Sequence, residues 1–253
     1  MNTLDEQLKT IGLHLTASQL DDLVSLATKK RWGATEILEH IARIEIDDRS
    51  RRSLERRTSR SKIGRFKPIT DYDWSWPKKI DRDAIESALR LEFLERSGNI
   101  VLVAPQGLGK TMIAKNIAHQ AILAGHSVLF VSASQMLLDL GAQDSTRGLD
   151  RRLRHYNRHA LLVVDEIGYL SYDNRNADLF FQVVSRRYEQ KSLILTTNLA
   201  FSDWPTVFPN ATCATALIDR LVHHADVLAI EGDSYRRRDA EADKKSRRKK
   251  AAA

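Results

Sequence analysis

The chain has 253 residues, of which 42% are apolar, and it contains one cysteine, Cys213. This composition suffices for a globular core and excludes disorder throughout, and a single cysteine excludes an intrachain disulfide. The N-terminus has no basic segment followed by an apolar stretch, and no apolar run approaches the roughly 20 residues of a membrane helix, so we expect a cytoplasmic protein.

The net charge of +7 is concentrated in two basic segments. Residues 49–67 contain nine Lys or Arg against Glu55 alone, and residues 236–250 contain nine against three acids. Removing these eighteen bases and four acids from the totals of 40 and 33 leaves 22 and 29, so the rest of the chain is acidic. Such segments can be solvated tails, but this density is more typical of binding to a polyanion, with nucleic acid as the leading candidate. The DNA-binding candidates in the first segment are Arg51, Arg52, Arg56 and Arg57.

The N-terminal region is predicted to be helical. Thr16 and Gln19 match a capping box, and the apolar residues after them recur at helical spacing. A second helix is predicted from about Gly33, and the two could form a small bundle. The basic stretch that follows is either a long charged helix or an arm that orders on contact, and the sequence leaves both open.

A linker with aromatic residues comes next, at FKPITDYDWSWP, residues 66–77. Prolines mixed with aromatic residues are typical of a connection whose rings pack onto the following domain. Stacking of Trp74 and Trp76 on nucleic-acid bases is the alternative, although anchoring is the commoner role of such side chains.

Five short apolar runs follow, with helical patterns between most of them. Runs of this kind without polar alternation favour strands buried on both faces, and therefore a parallel sheet covered by helices. The runs lie at residues 99–104, 127–133, 160–166, 192–198 and 226–232. The sequence thus predicts an α/β nucleotide-binding core.

The stretch APQGLGKT, Ala104 to Thr111, follows the first run and opens a predicted helix. This strand, loop and helix order is what a phosphate-binding loop requires, and only the first glycine of the pattern GxxxxGK is replaced, by Ala104. Gly107 and Gly109 would let main-chain N–H groups approach phosphate. Lys110 would contact the β- and γ-phosphates, and the Thr111 hydroxyl would ligate Mg²⁺.

An acidic pair ends the third run, LLVVDE. Asp165 and Glu166 would emerge at the carboxyl edge of the sheet, where ligands bind in α/β folds. We expect Asp165 to hold Mg²⁺ through water and Glu166 to polarise the attacking water. A simple turn is the alternative, which the phosphate loop upstream makes the weaker one.

Two further residues are candidates for the same chemistry. Asn198 ends the fourth run and could hydrogen-bond the attacking water or the γ-phosphate, although Thr197 or Asn198 could equally cap the next segment. Arg220 lies in the amphipathic stretch ATALIDRLVHHA. It is either a finger that completes the site of a neighbouring subunit or a plain surface arginine.

Together these motifs resemble those of the AAA+ ATPases, and within them the IstB-like helper ATPases of insertion-sequence transposition, a group allied to the DnaC helicase loader. The resemblance spans roughly residues 70–237 and is most specific at DEIGYL and RRYEQKSLILTTNL. The basic helical prefix also looks like the N-terminal region of that group.

The resemblance implies a five-stranded parallel AAA+ core flanked by helices. It also implies Mg²⁺-dependent ATP hydrolysis at interfaces between subunits, ATP-dependent assembly on DNA, and handover of the target DNA to a partner transposase. By motif, the nucleotide-binding residues would be Gly107, Leu108, Gly109, Lys110, Thr111, Met112 and Asp165, with Thr111 and Asp165 at the metal. The catalytic residues would be Lys110, Glu166, Asn198 and Arg220.

Three parts are expected along the chain: a helical, basic N-terminal domain and arm at 1–66, the AAA+ core at 67–235, and a basic tail at 236–253. The short C-terminus leaves no room for a separate helical lid, and Arg236 is a candidate second sensor. The group usually has GPPGTGKT in its loop and frequently His at the position of Met112, and both departures bear on nucleotide affinity.

A row of arginines lies between the second and third runs. Arg147, Arg151, Arg154 and Arg158 are spaced 4, 3 and 4, so a helix would place all four on one face, opposite apolar residues. Initiator-like AAA+ proteins have a DNA-contacting helix at this place, and such a face could follow phosphates without reading bases. A solvated face or a contact between subunits is the alternative. His155 and His159 lie nearby without an acidic third ligand, so we do not expect a metal there.

The sequence therefore predicts a homo-oligomeric ATPase that assembles on duplex DNA and passes it to a transposase. A helicase loader would favour single-stranded DNA, and few stacking aromatic residues lie near the basic segments. An ATP-gated DNA-binding scaffold without hydrolysis would not need the acidic pair and Arg220. A small-molecule kinase would have no use for two basic segments.

Overall fold

The structure is a computed structural model that describes residues 3–168, 172–208 and 211–238. It contains two compact units, Met1–Arg56 and Arg57–Ala253. The expected division into parts at residues 1–66, 67–235 and 236–253 stays a prediction. Within the described ranges no helix combines the length and apolarity that crossing a membrane requires.

Helices and strands alternate through the second unit. The α-helices are α1 Leu4–Thr10, α2 His14–Ser18, α3 Leu20–Lys30, α4 Ala34–Ser61, α5 Arg82–Leu89, α6 Glu92–Glu95, α7 Lys110–Leu123, α8 Ala133–Gly141, α9 Thr146–Asn157, α10 Asn174–Arg187 and α11 Ala211–Val222. The strands are β1 Asn99–Val103, β2 Val128–Ser132, β3 Leu161–Ile167, β4 Ser192–Thr197 and β5 Ala225–Ala229. Two 3₁₀ turns lie at Ile69–Asp71 and Phe201–Thr206.

The predicted capping box at Thr16 is wrong. Thr16 lies inside α2, where its main-chain N–H and its hydroxyl donate to Oε1 of the buried Glu45 at 2.8 and 2.9 Å. Its hydroxyl is therefore not available to cap α3, which begins at Leu20 without a side-chain cap. A capping box does occur at Thr3 and Glu6, at the start of α1.

The basic stretch after the first helices is helical, which resolves the alternative that the sequence leaves open. It forms the second half of α4, which runs for 28 residues. Ion pairs one turn apart hold some of its arginines to the helix surface, as where Arg51 lies between Asp48 at 2.6 Å and Glu55 at 2.9 Å. Such pairs support helix formation by about 0.2–0.5 kcal/mol each.

The end of this basic segment contacts α7. The Nε of Arg57 donates to the carbonyl oxygen of Ile122, in the last turn of α7, at 3.1 Å. The side chain of Asn116, in the middle of α7, accepts from Ile69 N–H at 2.9 Å and donates to the carbonyl oxygen of Lys67 at 3.0 Å. The chain between α4 and the core is thus held along α7 by specific hydrogen bonds.

All five predicted strands are present, and they form one parallel sheet in the order β2-β3-β4-β1-β5. In the register, Ile100 of β1 lies between Ile194 of β4 and Asp226 of β5. The central strands are buried along nearly their whole length, as continuous apolar runs predict. The predicted α/β fold with a five-stranded parallel sheet is confirmed.

Helices cover both faces of the sheet. On one face, side chains such as Val101, Leu162 and Leu195 form a core cluster with α8, α9, α10 and α11. Alternate residues of a strand point to opposite faces, so Ile100 and Ile194 face the other side, where α7 contacts four of the strands. Because β1 and β3 flank β4, the loops after these three strands meet at one edge of the sheet.

Candidate functional site

The loop between β1 and α7 has the geometry of a phosphate cradle. Gly107 and Gly109 have φ angles of +82° and +87°, in the region that L-residues rarely occupy. Gly109 is the N-cap of α7 and provides no side-chain cap, so the first N–H groups of the helix are open towards the loop. A helix N-terminus behind a glycine loop binds anions, so these residues fit the phosphates of a nucleotide.

Lys110 lies in the first turn of α7 with its ammonium group directed into the loop. Its Nζ donates to the carbonyl oxygens of Ala104 at 2.6 Å and Pro105 at 3.0 Å. Burial lowers the pKa of Lys110. The negative charges of Asp165 and Glu166 act against this decrease, whereas the positive charge of Arg236 adds to it. Lys110 therefore lies within electrostatic range of both acids and of Arg236.

Asp165 is the centre of a hydrogen-bond network at the end of β3. It is 7% exposed, and the Thr111 hydroxyl donates to its two carboxylate oxygens at 3.0 Å each. The Thr196 hydroxyl donates to Oδ1 of Asp165 at 2.5 Å. Thr111 and Asp165, the two predicted metal ligands, are therefore in contact, and their oxygens are the ligand type that Mg²⁺ prefers.

Glu166 adopts a conformation that turns its side chain away from the core. Its φ angle is +64°, and its carboxylate is exposed. Between the pairs Val164↔Leu195 and Ile167↔Thr197 the register of β3 and β4 shifts, so that Asp165 and Glu166 lie opposite one residue of β4. This irregularity places one carboxylate inside the network and the next one at the solvent edge.

Asn198 follows β4 at the same edge of the sheet and is exposed. The Ala104 N–H donates to the carbonyl oxygen of Thr197 at 3.1 Å, which places the end of β4 against the start of the phosphate loop. The Thr197 hydroxyl accepts from Leu199 N–H at 3.1 Å. The next segment, Phe201–Thr206, has Ala200 as its N-cap and no side-chain cap, so neither Thr197 nor Asn198 caps it. Asn198 therefore lies one residue beyond a strand end that is hydrogen-bonded to the loop.

Two segments that are distant in sequence close over the phosphate loop, residues 72–76 and 233–238, and we call them the clasp. The Tyr72 hydroxyl donates to the carbonyl oxygen of Leu108 at 2.9 Å, and Tyr235 N–H donates to that of Gly107 at 3.1 Å. Trp76 Nε1 donates to the carbonyl oxygen of Asp233 at 2.8 Å, which joins the two segments. The prediction that the linker's rings pack onto the core is confirmed.

Arg220 lies at the end of the sheet opposite to the phosphate loop. Its guanidinium is 4.4 Å from the ring centroid of Phe181. It is in the last turn of α11, which ends just before the amino end of β5, whereas the phosphate loop follows the carboxyl end of the adjacent β1. The length of a five-residue strand, about 16 Å, separates the two ends, so Arg220 does not complete the site of its own subunit.

Three of the four predicted arginines lie on one face of α9, and the fourth, Arg158, is the C-cap that continues this face. Arg147, Arg151, Arg154 and Arg158 are all exposed, while the opposite side of the helix is anchored in the core. The anchoring residues are Leu149, which is partly buried, and Leu153 and Tyr156, which are buried.

The charge of this arginine face is uneven. Arg154 pairs with Asp150, and Arg186 also reaches Asp150 at 2.9 Å. Within the described part of the chain, Arg147, Arg151 and Arg158 pair with no acidic side chain. The charges of these three arginines are therefore less offset by acidic neighbours than that of Arg154.

Buried polar contacts fix α9 in place. Asp139 of α8 accepts from the Tyr156 hydroxyl and from Arg152, both at 2.5 Å. Arg187 is 1% exposed and donates to main-chain carbonyl oxygens around the end of α9, including that of Tyr156 at 3.0 Å and that of His159 at 3.1 Å. The arginine face is thus presented by a rigid support.

The predicted DNA-binding arginines of the first basic segment differ in their surroundings. Arg51 and Arg52 both pair with Asp48, and Arg56 is exposed. Arg57 is engaged with the carbonyl oxygen of Ile122, which is a structural role within its unit. The terminal basic segment lies outside the described residues beyond Arg238.

Residues 6–243 match the family described as IstB-like ATP binding protein. The chain belongs to this family. It is 36% identical over 239 residues to the ATP-binding protein of insertion sequence IS232 in Bacillus thuringiensis subsp. berliner, with 93% of this chain and 94% of the relative covered. It is 34% identical over 236 residues to that of insertion sequence IS21 in Pseudomonas aeruginosa, with 93% and 89% covered. The family predicted from the motifs is confirmed.

Solved AAA+ structures show the same fold. The DnaI structure superposes with a TM-score of 0.56 at 18% identity, covering 68% of this chain and 91% of that one. The DnaC helicase loader gives a TM-score of 0.52 at 17% identity, covering 65% and 96%. At these identities the likeness concerns architecture alone, and it confirms the AAA+ core.

Within this ATP-binding family, the loop departs from the usual pattern at Ala104. Ala104 is 2% exposed, does not have a positive φ angle, and uses its main-chain N–H and carbonyl for contacts to Thr197 and Lys110. Its methyl group therefore lies at the strand end, with no backbone conformation that demands glycine. Leu108 is buried in the loop, and Met112 is half-buried in the first turn of α7.

Proposed function

We propose that the protein is a Mg²⁺-dependent ATPase that assembles on duplex DNA in its ATP-bound state and hands the DNA to a partner transposase. The observation that carries this proposal is the convergence of Lys110, Thr111, Asp165 and Glu166 at one edge of the sheet, around an open helix N-terminus. The proposal is also supported by the chain's membership in an ATP-binding family and by its relatives, which are proteins of insertion sequences.

The residues of the site have separate tasks in hydrolysis. The N–H groups of the glycine loop and the Lys110 ammonium bind the phosphates, and Thr111 and Asp165 would hold Mg²⁺, which neutralises developing negative charge. Glu166, exposed at the edge, accepts a proton from the attacking water, and Asn198 orients that water or the γ-phosphate. Phosphoryl transfer needs mainly positioning and charge, and this set supplies both.

ATP would be hydrolysed between subunits of a homo-oligomer. Arg220 lies too far from its own phosphate loop to contact bound ATP, and it is held against Phe181 at the opposite end of the sheet. An arginine presented there can reach the site of an adjacent subunit and contribute about 10³- to 10⁵-fold in rate. Assembly and hydrolysis are then coupled, because neither subunit has a complete site alone.

The arginine face of α9 would contact DNA. Its exposed guanidinium groups lie on one side of a helix whose other side is buried, so they can follow a phosphate backbone without reading bases. The basic segment at residues 49–67 adds positive charge, with Arg51, Arg52 and Arg56 on the surface of α4. A partner transposase would then receive the bound duplex.

The test uses the Glu166→Gln protein, which is expected to bind ATP and hydrolyse it slowly. Its equilibrium binding to matched duplex and single-stranded DNA is measured with and without Mg·ATP at a stated salt concentration. Duplex preference that requires ATP is the expected result. Binding that does not respond to ATP would refute ATP-dependent assembly and favour a DNA-binding scaffold.

A second function is a helicase loader, which the structural likeness to the DnaC helicase loader and DnaI brings forward. A loader would prefer single-stranded DNA and would need stacking aromatic residues at the DNA surface. The aromatic residues of the linker are instead engaged in the clasp, where Trp76 is hydrogen-bonded to Asp233. A single-strand preference in the same experiment would favour the loader.

A further inference from the structure

Thr196 is the one β4 side chain that touches both members of the acidic pair among the described contacts. It is fully buried, at 0% exposure. Its hydroxyl donates to Oδ1 of Asp165 at 2.5 Å and accepts from the main-chain N–H of Glu166 at 2.9 Å. One hydroxyl group therefore connects the buried carboxylate to the backbone of the exposed one.

The position of this hydroxyl coincides with the irregularity between β3 and β4. Two residues of β3, Asp165 and Glu166, lie opposite Thr196 alone, so the regular ladder cannot satisfy both main-chain N–H groups. The Thr196 hydroxyl accepts a hydrogen bond from the main-chain N–H of Glu166, and so supplies the partner that the strand ladder does not. That bond stabilises the positive φ angle of Glu166 and so fixes the direction of its side chain.

The same hydroxyl also fixes the orientation of Asp165. The carboxylate accepts hydrogen bonds from the hydroxyl of Thr111 on α7 and from that of Thr196 on β4, two elements that approach it from different sides. Hydrogen bonds to a ligating carboxylate hold it in one orientation, and their loss typically costs 10- to 100-fold in metal affinity or activity. Thr111 belongs to the phosphate loop motif, whereas Thr196 has no assigned role.

We propose that Thr196 is a positioning residue that sets both carboxylates for ATP hydrolysis, an inference that rests on the proposed ATPase function. It acts through Asp165, whose rotamer it fixes, and through the backbone of Glu166, whose direction it fixes. Thr196 is fully buried and its hydroxyl contacts Asp165 and Glu166, so it acts through these two residues and not on the reacting atoms.

The test compares three variants of the full-length protein. Thr196→Val keeps the shape of the side chain and removes the hydroxyl, Thr196→Ser keeps the hydroxyl, and Ser192→Ala is the matched control on the same strand. Ser192 is 1% exposed at the amino end of β4, and its hydroxyl has no hydrogen-bond partner among the described residues. Two quantities are measured for each: kcat and KM for ATP, and the Mg²⁺ concentration at half-maximal binding of a fluorescent, non-hydrolysable ATP analogue.

For Thr196→Val we expect kcat to fall about 10- to 100-fold with KM for ATP little changed, and the Mg²⁺ requirement to rise by a similar factor. Thr196→Ser should restore both, and Ser192→Ala should behave as the wild type. Equal losses in Thr196→Val and Ser192→Ala, accompanied by equal losses of thermal stability, would show a purely structural role and overturn the inference. Unchanged kcat and Mg²⁺ requirement in Thr196→Val would overturn it as well.

The two proposals can fail separately. If the wild-type protein does not hydrolyse ATP under any DNA condition, the proposed function fails. The Mg²⁺ requirement for analogue binding still tests Thr196 in that case, because it depends on the orientation of Asp165 and not on turnover. A raised requirement in Thr196→Val alone would retain the positioning role in a protein that only binds ATP.

Discussion

The main-chain N–H of Tyr235 donates to the carbonyl oxygen of Gly107 at 3.1 Å, so a residue near the end of the described chain is hydrogen-bonded to the middle of the phosphate loop. An ideal Cβ on Gly107 would lie 2.2 Å from Oγ of the neighbouring Ser234. Two features therefore require glycine at this position: the positive φ angle of the loop and the close approach of Ser234 in the clasp. The clasp makes the loop's conformation depend on Tyr72, 36 positions before Leu108, and on Tyr235, 128 positions after Gly107.

Replacing Gly107 by Ala should disrupt nucleotide binding through the clasp. The substitution costs about 1–2 kcal/mol for the positive φ angle, and the new methyl group also displaces Ser234. Gly125→Ala is the matched control, since Gly125 has a φ angle of +98° and, apart from its chain neighbours, no atom of the described residues lies within 4 Å of its ideal Cβ. Calorimetry with ATP should show lost affinity in Gly107→Ala only, and equal affinity in both variants would argue against the clasp.

Lys110→Ala should abolish ATP-dependent assembly. Loss of charge-assisted hydrogen bonds of about 1.5–3 kcal/mol corresponds to an affinity for ATP that is about 10- to 100-fold weaker. Lys115→Ala, on the same helix and directed to the carbonyl oxygen of Arg65, is the control. Sedimentation with and without ATP measures assembly, and a Lys110→Ala protein that assembles normally would remove the loop from its assigned role.

Affinity for ATP should fall as pH rises through the pKa of Lys110, because only the protonated ammonium attracts phosphate. Burial and the charge of Arg236 both lower that pKa from 10.5, which moves the fall towards neutral pH. Arg236→Gln removes one of these causes, so the fall should move to higher pH, while Arg237→Gln should leave it in place. Binding of a non-hydrolysable analogue across alkaline pH measures this, and a shift to lower pH would contradict the placement of Arg236.

Hydrolysis at a shared interface predicts complementation between two inactive variants. Glu166→Gln lacks the base and Arg220→Ala lacks the finger, so each alone should be nearly inactive. A mixed oligomer contains some interfaces with an intact Glu166 from one subunit and an intact Arg220 from the other. ATPase activity of the mixture should exceed that of either variant, and purely additive activity would mean that Arg220 acts within its own subunit or not at all.

The arginine face should determine how DNA affinity depends on salt. Each lost phosphate contact lowers the slope of log affinity against log salt concentration by about 0.9 for duplex DNA. Arg151→Ala should show this change, and Arg154→Ala should show less of it because Asp150 already offsets that charge. Arg90→Ala is the control, because Arg90 lies outside α9 and pairs with Glu92 of α6. An unchanged slope in Arg151→Ala would place the DNA elsewhere.

Much of the fold, and the acidic pair at the end of β3, could be predicted because the sequence patterns that mark them are local. Continuous apolar runs predict buried strands, and Asp165 and Glu166 directly end one of them. The role of Thr196 could not be predicted, because it depends on a shift of register between two strands that lie 30 residues apart. LTTN offers three polar side chains, and only strand pairing selects which one faces Asp165.

The clasp and the failed capping box have the same cause. Tyr72 and Ser234 contact the phosphate loop through the tertiary fold, and neither has a motif that would mark it. Thr16 has the spacing of a cap, but a buried carboxylate 29 positions away takes its hydroxyl. Short-range patterns lose their meaning where a long-range partner competes for the same atom.

Helix α7 connects the phosphate loop to the end of the basic segment. Its 14 residues span about 21 Å from Lys110 at the phosphate loop to the last turn, where Ile122 accepts from Arg57. Between these ends, Asn116 holds the chain at Lys67 and Ile69. One helix therefore carries the lysine of the phosphate loop in its first turn and the anchor of Arg57 in its last, so a substitution that shortens α7 by a turn would separate two contacts that the sequence places more than 50 residues apart.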